Sequence, residues 1–293
     1  MKKRVFRRWA NDPASLRDLL VARLDLTPAD AAALVARGSV YVGRARAHDA
    51  LGSVAVGDQL TVHLSPATEA PPLVVVYRDD DVAIVDKPAG LPSQAEPGQR
   101  AFSLDAAATR ELGADARLMH RLDKEASGLL LVALHSAAYA PLQRAMTEHA
   151  IDRRYLAIAS GPLEGEGTIR KRIGRHPRDQ RLRAPLAEDA TAGEPACTRV
   201  AVLAHGTYDG GPVAAVEVRL ETGRTHQIRV HLSSLGHPIV GDTAYAGPSF
   251  ERLCLHAYAL ELPHPRSGKP IRASAPLPPA FSRLVPGLTS PFT

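Results

Sequence analysis

The sequence predicts an α+β protein in which a small helix-helix-strand-strand domain precedes a larger domain built mainly from strands. Three observations support this prediction. Two capped helical segments and two alternating strands lie before residue 65, a proline-rich stretch follows them, and short apolar runs bounded by turns fill most of the remaining chain. We therefore expect domains at residues 12–64 and 73–285, with a linker at residues 65–72.

Composition limits the classes of function. The chain has 293 residues, with 36 Lys and Arg against 31 Asp and Glu, and this basic balance favours a polyanionic partner such as nucleic acid. Cys197 and Cys254 lack the spacing of a disulfide framework or a metal site, so we expect a reducing compartment, the cytoplasm, and no structural metal. No run approaches the roughly 18 apolar residues that a membrane span needs, and we expect no membrane association.

The first domain opens with two helices. Ser15 and Asp18 have the spacing of a capping box, and the leucines that follow share one helical face. The second helix has Thr27 as its predicted N-cap and Pro28 at its first position, and Gly38 follows its end. Alternating residues then predict strands at 40–42 and 60–64.

This first domain resembles the S4 domain, a small RNA-binding module. The residues that carry the resemblance are Gly38, Val40, Val42, Gly43, Gly57 and Asp58. Arginines are spread along the domain, as phosphate binding requires, and Arg17 and Arg37 are candidate RNA contacts. The alternative interpretation is a small structural domain.

The larger domain begins with a predicted pair of neighbouring strands at residues 73–77 and 82–85. Ser103 is the predicted cap of a helix that runs to Leu112. The run at residues 129–134 predicts a buried strand, a helix starts at Ser136, and residues 154–159 alternate as a strand.

The last predicted elements are a strand at residues 213–221 and a helix that Thr225 caps. Ile228, Leu232 and Leu235 are predicted to face the core from that helix, and Gly236 ends it. The tail after Pro263 is rich in proline and predicts little regular structure.

Asp123 is the candidate reactive group, because it lies in a polar turn directly before the buried strand. An ordinary turn acid is the alternative interpretation of this residue. The chain contains no P-loop, GxGxxG, HExxH or nucleophile-elbow motif, so nucleotide hydrolysis, hydride transfer and zinc hydrolysis lose their usual signatures. Seven basic residues between Arg170 and Arg183 predict either a solvated face or a phosphate-contacting arm.

The larger domain resembles the RluA family of pseudouridine synthases from about residue 73 to residue 279. The segments that carry the resemblance are VAIVDKPAGLPSQ, HRLDKEASGLLLVA, RRYLAIASG and RLETGRTHQIRVHLSSLGHPIVGDTAYAG, with LHAYALELPHP as a further echo. The resemblance implies a mixed, largely antiparallel sheet with a central cleft. It also implies isomerisation of uridine to pseudouridine in RNA, without a cofactor.

The resemblance assigns three catalytic residues. Asp123 corresponds to the family's catalytic aspartate, Arg229 to its cationic partner, and Tyr155 to the tyrosine that packs against uracil and helps to move the C5 proton. Whether Asp123 forms an adduct at C1′ or removes the C2′ proton to give a glycal stays open at this level. The motif has Ala126 where the family usually has threonine, a change that we expect to alter local hydrogen bonding and to preserve activity.

The remaining site predictions concern RNA contacts. Arg121 is the candidate wedge that fills the space left by the extruded base, with His120 beside it. Further RNA contacts are predicted at Lys87, Arg224, Thr225, His226 and Gln227.

The predicted substrate is a structured RNA that a monomer binds. The S4-like domain favours ribosomal RNA, whereas transfer RNA enzymes share the same core motifs. A catalytically inactive RNA-binding protein that retains the fold is the alternative function. A glycosidase or nucleotide hydrolase is disfavoured because no second carboxylate lies at suitable spacing from Asp123.

Overall fold

The computed structural model describes residues 2–24, 26, 28–36, 39–43, 45–47, 49–64, 70–95 and 101–292. The predictions for Thr27, Arg37, Gly38 and residues 65–69 of the linker lie outside this part of the chain. The chain divides into two compact units. The first comprises Met1–Pro71 and Ala95–Ala107, and the second comprises Pro72–Gln94 and Ala108–Thr293.

The helices and strands are numbered in chain order. The helices are α1 (Leu16–Leu24), α2 (Pro28–Ala36), α3 (Leu104–Leu112), α4 (Ser136–Thr147), α5 (Gln227–Ser234) and α6 (Pro279–Leu284). The first strands are β1 (Lys2–Arg7), β2 (Val40–Val42), β3 (Ala45–Arg46), β4 (Gln59–Leu64), β5 (Val74–Arg78), β6 (Val82–Lys87), β7 (Arg117–Leu118) and β8 (Ser127–Ala133). The later strands are β9 (Asp152–Ser160), β10 (Glu166–Arg175), β11 (Arg183–Leu186), β12 (Glu194–Tyr208), β13 (Gly211–Leu220), β14 (Leu255–Pro263) and β15 (Pro270–Ser274).

The first unit packs α1 and α2 on a four-stranded antiparallel sheet of order β1-β4-β2-β3. The Ser15 hydroxyl accepts a hydrogen bond from the Asp18 backbone N–H at 3.2 Å, as the predicted cap requires. Strand β1 lies before the predicted start of the domain at residue 12. Its basic sequence has little strand signal of its own, and its pairing with β4 completes the sheet.

The second unit is organised around one mixed sheet. Among the described residues it has eleven strands, in the order β11-β10-β12-β13-β9-β14-β8-β6-β5, with β15 on β14 and β7 on β8. Only the β14–β8 pair is parallel among the recorded pairings. The predicted α+β class with a mixed, largely antiparallel sheet is therefore confirmed. Within the described residues, no helix is long and apolar enough to cross a membrane.

The parallel pairing of β8 and β14 depends on Gly128. Its φ angle is +111°, and a Cβ at this position would lie 2.2 Å from the backbone oxygen of Ala257. A larger residue would therefore separate the two strands. This pairing places the start of β8, directly after the turn that contains Asp123, next to β14 in the interior of the sheet.

Three predictions about the C-terminal half are wrong. Thr225 does not cap α5, because the helix begins at Gln227 and its N-cap is His226 in the left-handed conformation, with φ +58°. Leu235 is 43% exposed and does not face the core. The tail after Pro263 also has regular structure, since β15 pairs with β14 and α6 buries Phe281. These elements depend on contacts with distant strands, which local patterns do not report.

Candidate active site

The turn that carries Asp123 is held at several points. The Ala126 N–H donates to the Asp123 carbonyl at 3.1 Å. On the preceding side, the Ser93 hydroxyl donates to the Leu122 carbonyl at 2.7 Å and accepts from the Leu122 N–H at 3.0 Å. The Asp123 side chain is 14% exposed, so the protein covers most of it.

Lys87 supports this turn from inside the fold, and its burial contradicts the RNA contact predicted for it. Its side chain is fully buried, and its ammonium donates to the carbonyls of Pro88, Leu91 and Lys124 at 2.9, 2.7 and 3.1 Å. Burial lowers the pKa of Lys87 to about 7, against the opposing charge of Asp123. With all three donors engaged, the ammonium has no hydrogen left for a phosphate.

Arg229 links two carboxylates beneath the turn. Its Nη1 lies 3.3 Å from Asp123 Oδ2. Its Nε lies 2.8 Å from Asp242 Oδ2, and its Nη2 lies 2.8 Å from Asp242 Oδ1. The predicted ion pair with Asp123 is therefore present, but the bidentate partner is Asp242. Burial opposes the charge of Arg229, and the hydrogen bonds and charges of Asp242 and Asp123 outweigh it and raise the pKa of the guanidinium.

Asp242 and Tyr245 are site residues that the sequence analysis missed, although both lie in the GDTAY portion of a quoted segment. The Tyr245 hydroxyl lies 2.7 Å from His226 Nδ1 and accepts from the Arg183 N–H at 2.9 Å. Its ring centroid lies 4.9 Å from Cζ of Arg229. Tyr245 therefore holds both the arginine and the histidine that adjoin Asp123.

Tyr155 lies on β9 and is 5% exposed. It lines the same recess as Asp123 and Arg229. Burial raises the pKa of its phenol, Arg153 opposes this shift, and Asp123 adds to it. The hydroxyl therefore keeps its proton at neutral pH, as a group that stacks and relays protons requires.

A cavity of about 490 Å³ opens in front of Asp123. It is lined by Met119, His120, Arg121, Asp123, Met146, Thr147, His149, Arg153, Tyr155, Leu220, Glu221, Thr222, Gly223, Arg224 and Thr225. Its volume lies within the range of small-molecule sites. A smaller recess of about 50 Å³ adjoins Asp123 and is lined in part by Ala126, whose side chain is buried.

Arg121 and His120 lie at this cavity, as the predicted wedge requires. The Arg121 side chain is exposed, and its guanidinium has no hydrogen bond or ion pair with another described residue. His120 Nε2 accepts from the Leu131 N–H at 3.2 Å. Burial, with a further contribution from Arg153, lowers the pKa of His120 to about 3, so the ring is neutral at pH 7.

The predicted RNA contacts from Arg224 to Gln227 divide into partly exposed and buried residues. Arg224 and Thr225 line the cavity, and the Arg224 guanidinium lies 2.9 Å from Glu194. Gln227 is 2% exposed, and this burial contradicts the RNA contact predicted for it. Its amide oxygen accepts from the Thr222 hydroxyl and the Arg224 N–H, and its amide nitrogen donates to Cys197 and Thr198. His226 Nε2 lies 4.0 Å from Asp123 Oδ1.

The basic run between Arg170 and Arg183 lies on the β10–β11 hairpin. Several of its cations are engaged, because Lys171 donates to Ser234, Arg172 donates to the carbonyls of Ala192 and Gly193, and Arg181 pairs with Asp179. In the first unit, Arg17 pairs with Asp18 at 2.9 Å and remains partly exposed. RNA contact by these residues stays a prediction.

Asp79, Asp81 and His264 form the one group with metal-ligand spacing among the described residues, with ligand atoms within 4.8 Å of one another. The carboxylate oxygens of the two aspartates already accept hydrogen bonds. Asp79 accepts from Tyr77 and from backbone N–H groups, and Asp81 pairs with Arg266 at 2.6 Å. The group joins two hairpin turns, and its chemistry is that of an ion-pair network.

Comparison with known proteins agrees with this geometry. The model of the family described as RNA pseudouridylate synthase matches residues 81–234. The ribosomal large subunit pseudouridine synthase D of Xanthomonas campestris pv. campestris is 39% identical over 259 residues, which cover 78% of this chain and 75% of the relative. The Bacillus subtilis protein named uncharacterized RNA pseudouridine synthase YjbO is 37% identical, covering 75% of this chain and 77% of the relative.

A solved structure is similar as well. The structure of human RNA Pseudouridylate Synthase Domain Containing 1 is 32% identical, with a TM-score of 0.63, and the match covers 78% of this chain and 93% of that one. The family match includes the Asp123 turn, Tyr155 and Arg229. The chain therefore belongs to the RNA pseudouridylate synthase family, whose members are isomerases that act on uridine in RNA.

Proposed function

We propose that this protein converts specific uridines of structured RNA to pseudouridine, with large-subunit ribosomal RNA as the substrate. The observation that carries the proposal is the arrangement of Asp123, Arg229 and Tyr155 around one recess, which adjoins the cavity at Asp123. The printed names of several relatives, which are large-subunit ribosomal enzymes, support the choice of RNA. Transfer RNA is the second substrate to test.

In the proposed reaction, the bond between N1 and C1′ breaks, the uracil turns within the cavity, and C5 bonds to C1′. The C5 proton then leaves and N1 gains a proton, so the product is an isomer and no electrons are transferred. Positive charge develops on the sugar as the first bond breaks, and the Asp123 carboxylate stabilises it. Asp123 then either forms an adduct at C1′ or removes the C2′ proton to give a glycal. The experiment below distinguishes an active enzyme from an inactive protein and does not distinguish these two routes.

Arg229 and Tyr155 have supporting roles in this proposal. Arg229 orients Asp123 and places a positive charge beside its carboxylate, because a guanidinium remains charged in a buried site and is itself held by Asp242. Tyr155 packs against the uracil and helps to transfer the C5 proton after reattachment. Arg121 fills the space that the extruded base leaves, because its exposed guanidinium lies at the cavity.

The first unit is proposed to be an S4-like RNA-binding domain at residues 12–64, followed by a linker at 65–72 and the synthase domain at 73–285. Its two helices packed on an antiparallel sheet support this proposal. Arg17 is partly exposed there and available to a phosphate. We further propose that the protein acts as a monomer, without a metal, in the cytoplasm where ribosomes are assembled.

Release of tritium from RNA labelled at C5 of uridine tests the proposal. The wild-type protein is expected to release tritium from large-subunit ribosomal RNA, and the Asp123→Asn variant is expected to release none. Sequencing of pseudouridines in a deletion strain and its parent would then identify the position. Absence of release from ribosomal and transfer RNA, with retained RNA binding, would instead support the catalytically inactive binding protein.

A further inference from the structure

Arg153 is a cavity residue to which the reaction outlined above gives no role. It lies on β9 two residues before Tyr155, so both side chains are on the same face of the sheet. Arg153 lines the cavity with Asp123 and Tyr155 and is only 9% exposed. Its position therefore brings a buried positive charge to the proposed reaction site.

The guanidinium of Arg153 has no recorded hydrogen bond or ion pair within the described part of the chain. Its Nε is buried and without a partner. The neighbouring Arg154 shows the usual arrangement, since its Nε donates to Asp152 at 2.7 Å. A buried charge without a partner is strongly unfavourable, and proteins keep such groups where a ligand completes them.

His120 provides a second unsatisfied donor in the same cavity lining. Its Nε2 accepts from the Leu131 N–H, so the proton of the neutral ring is on Nδ1. This Nδ1 is also buried and without a partner. Both unsatisfied donors belong to residues that line the same cavity, one of them is cationic, and no described carboxylate lies within ion-pair distance of Arg153.

Gly223 leaves space next to the guanidinium. A Cβ at residue 223 would lie 3.4 Å from Nη1 of Arg153, so a larger side chain would occupy the approach. Gly223 lines the cavity together with Arg153. Because residue 223 has no side chain, none covers Nη1 of Arg153 on this side of the cavity.

We propose that Arg153 binds a phosphate that adjoins the target uridine, with the His120 Nδ1–H as a second donor. The inference rests on the proposed function, because it takes RNA as the ligand. A phosphate fits better than a uracil carbonyl, since only the phosphate has the negative charge that a buried guanidinium needs and accepts bonds from a planar fork. Arg153 is thus a substrate-binding residue that positions the extruded nucleotide over Asp123.

The first test compares Arg153→Gln with the matched control Arg154→Gln on the same strand. We expect Arg153→Gln to lower kcat/KM on ribosomal RNA by about 10- to 100-fold, the range for a charged hydrogen bond. Its thermal stability without RNA should equal or exceed that of the wild type, because an unpaired buried charge is removed. Arg154→Gln should keep kcat/KM within about threefold. Wild-type activity of Arg153→Gln, or a loss of activity that follows a loss of stability, would overturn the proposal.

The second test removes the charge from the RNA. Oligonucleotides carry the target uridine with a neutral methylphosphonate on its 5′ or its 3′ side, and single-turnover rates are measured. For the wild type, one of the two substitutions should lower the rate about 10- to 100-fold. For Arg153→Gln the same substitution should have little further effect. An equal loss in both proteins at both positions would contradict binding of either phosphate by Arg153.

A third measurement separates this inference from the proposed function. If the wild type shows no turnover of ribosomal or transfer RNA, the proposed function fails, and the inference is tested by binding alone. Uridine, uridine 5′-monophosphate and uridine 3′-monophosphate are titrated into wild type and Arg153→Gln and followed by nuclear magnetic resonance. The inference requires that the variant bind one monophosphate at least about tenfold more weakly and bind uridine equally. Equal monophosphate binding by both proteins would overturn it.

Discussion

The two sides of the cavity differ in how completely their charges are paired. On one side, the paired wall, the cavity residue Asp123 is backed by Arg229, Asp242 and Tyr245, and these residues are joined by ion pairs and a ring contact. On the other, the open wall, Arg121, His120 and Arg153 have donors without partners among the described residues. The paired wall is therefore complete before RNA arrives, whereas the open wall requires a ligand.

This difference matches the tasks of the two sides. A group that acts on the sugar must already be ionised and oriented, because reorganisation during the reaction would raise the barrier. A group that recognises RNA gains most when its hydrogen bonds form only with the ligand. We thus expect substitutions in the paired wall to affect both the chemical step and the stability of the fold. Substitutions in the open wall should affect only the binding and turnover of RNA.

The largest expected effect is that of Asp123→Asn in the paired wall. The amide cannot stabilise positive charge at the sugar, and we expect tritium release to fall by about 10,000-fold or more. Glu125→Gln, an exposed carboxylate two residues further on, is the control and should keep wild-type rates. Substantial turnover by Asp123→Asn would remove this residue from the chemistry.

Asp242→Asn tests whether the paired wall also supports the fold. Arg229 would lose its buried bidentate partner, and we expect the free energy of unfolding to fall by about 3 kcal/mol. Asp179→Asn is the matched control, because Asp179 also pairs bidentately with an arginine, but Arg181 is 88% exposed. Its effect should stay below about 1 kcal/mol. Equal effects in chemical denaturation would show that burial does not distinguish the two pairs.

The pH dependence of stability tests the burial of His256, which contacts the strand that follows the Asp123 turn. Ser127, at the start of β8, hydrogen-bonds His256, and burial together with Arg252 lowers the pKa of His256 to about 4. Between this value and the ordinary value near 6.5, the unfolded chain binds a proton that the folded chain does not. The contribution of His256 to stability should therefore fall as the pH falls through this window, by about 2 kcal/mol at pH 5.

The contribution of His256 to this pH dependence is isolated by substitution. His256→Gln should reduce the loss of unfolding free energy between pH 7 and pH 5, measured by urea denaturation. His205→Gln, at an exposed strand position, serves as the control and should leave the loss unchanged. An identical pH dependence in wild type and His256→Gln would contradict the assignment.

The smallest effect is expected for Arg121→Gln in the open wall. Because Arg121 is exposed and unpaired, the free energy of unfolding should change by less than about 0.5 kcal/mol. We expect kcat/KM on RNA to fall by about tenfold, since a polar side chain fills the space of the extruded base less well. Arg117→Gln, an exposed arginine that does not line the cavity, is the control. A large loss of unfolding free energy in Arg121→Gln would contradict the distinction between the two walls.

Much of the local structure could be predicted from sequence. The buried run of β8, the capped helix α1 and the helix from Ser136 all follow from periodicity and capping residues, and the structure has them at those positions. The left-handed start of α5 could not be predicted, because the Gln227 side chain organises that turn through contacts with Cys197 and Thr198 on β12. Likewise, β15 is a strand because β14 is beside it.

The sequence by itself determined that Asp123 lies in a turn before a buried strand, and motif resemblance supplied Tyr155 and Arg229 as its companions. Only the tertiary structure decided how the charges are shared. Arg229 and Asp123 are 106 residues apart in the chain, and Asp242 takes two of the three arginine nitrogens engaged there. The burial of Lys87 and the isolation of Arg153 were decided at the same level. Burial and pairing are sums over neighbours from distant strands, and no local pattern of residues encodes those neighbours.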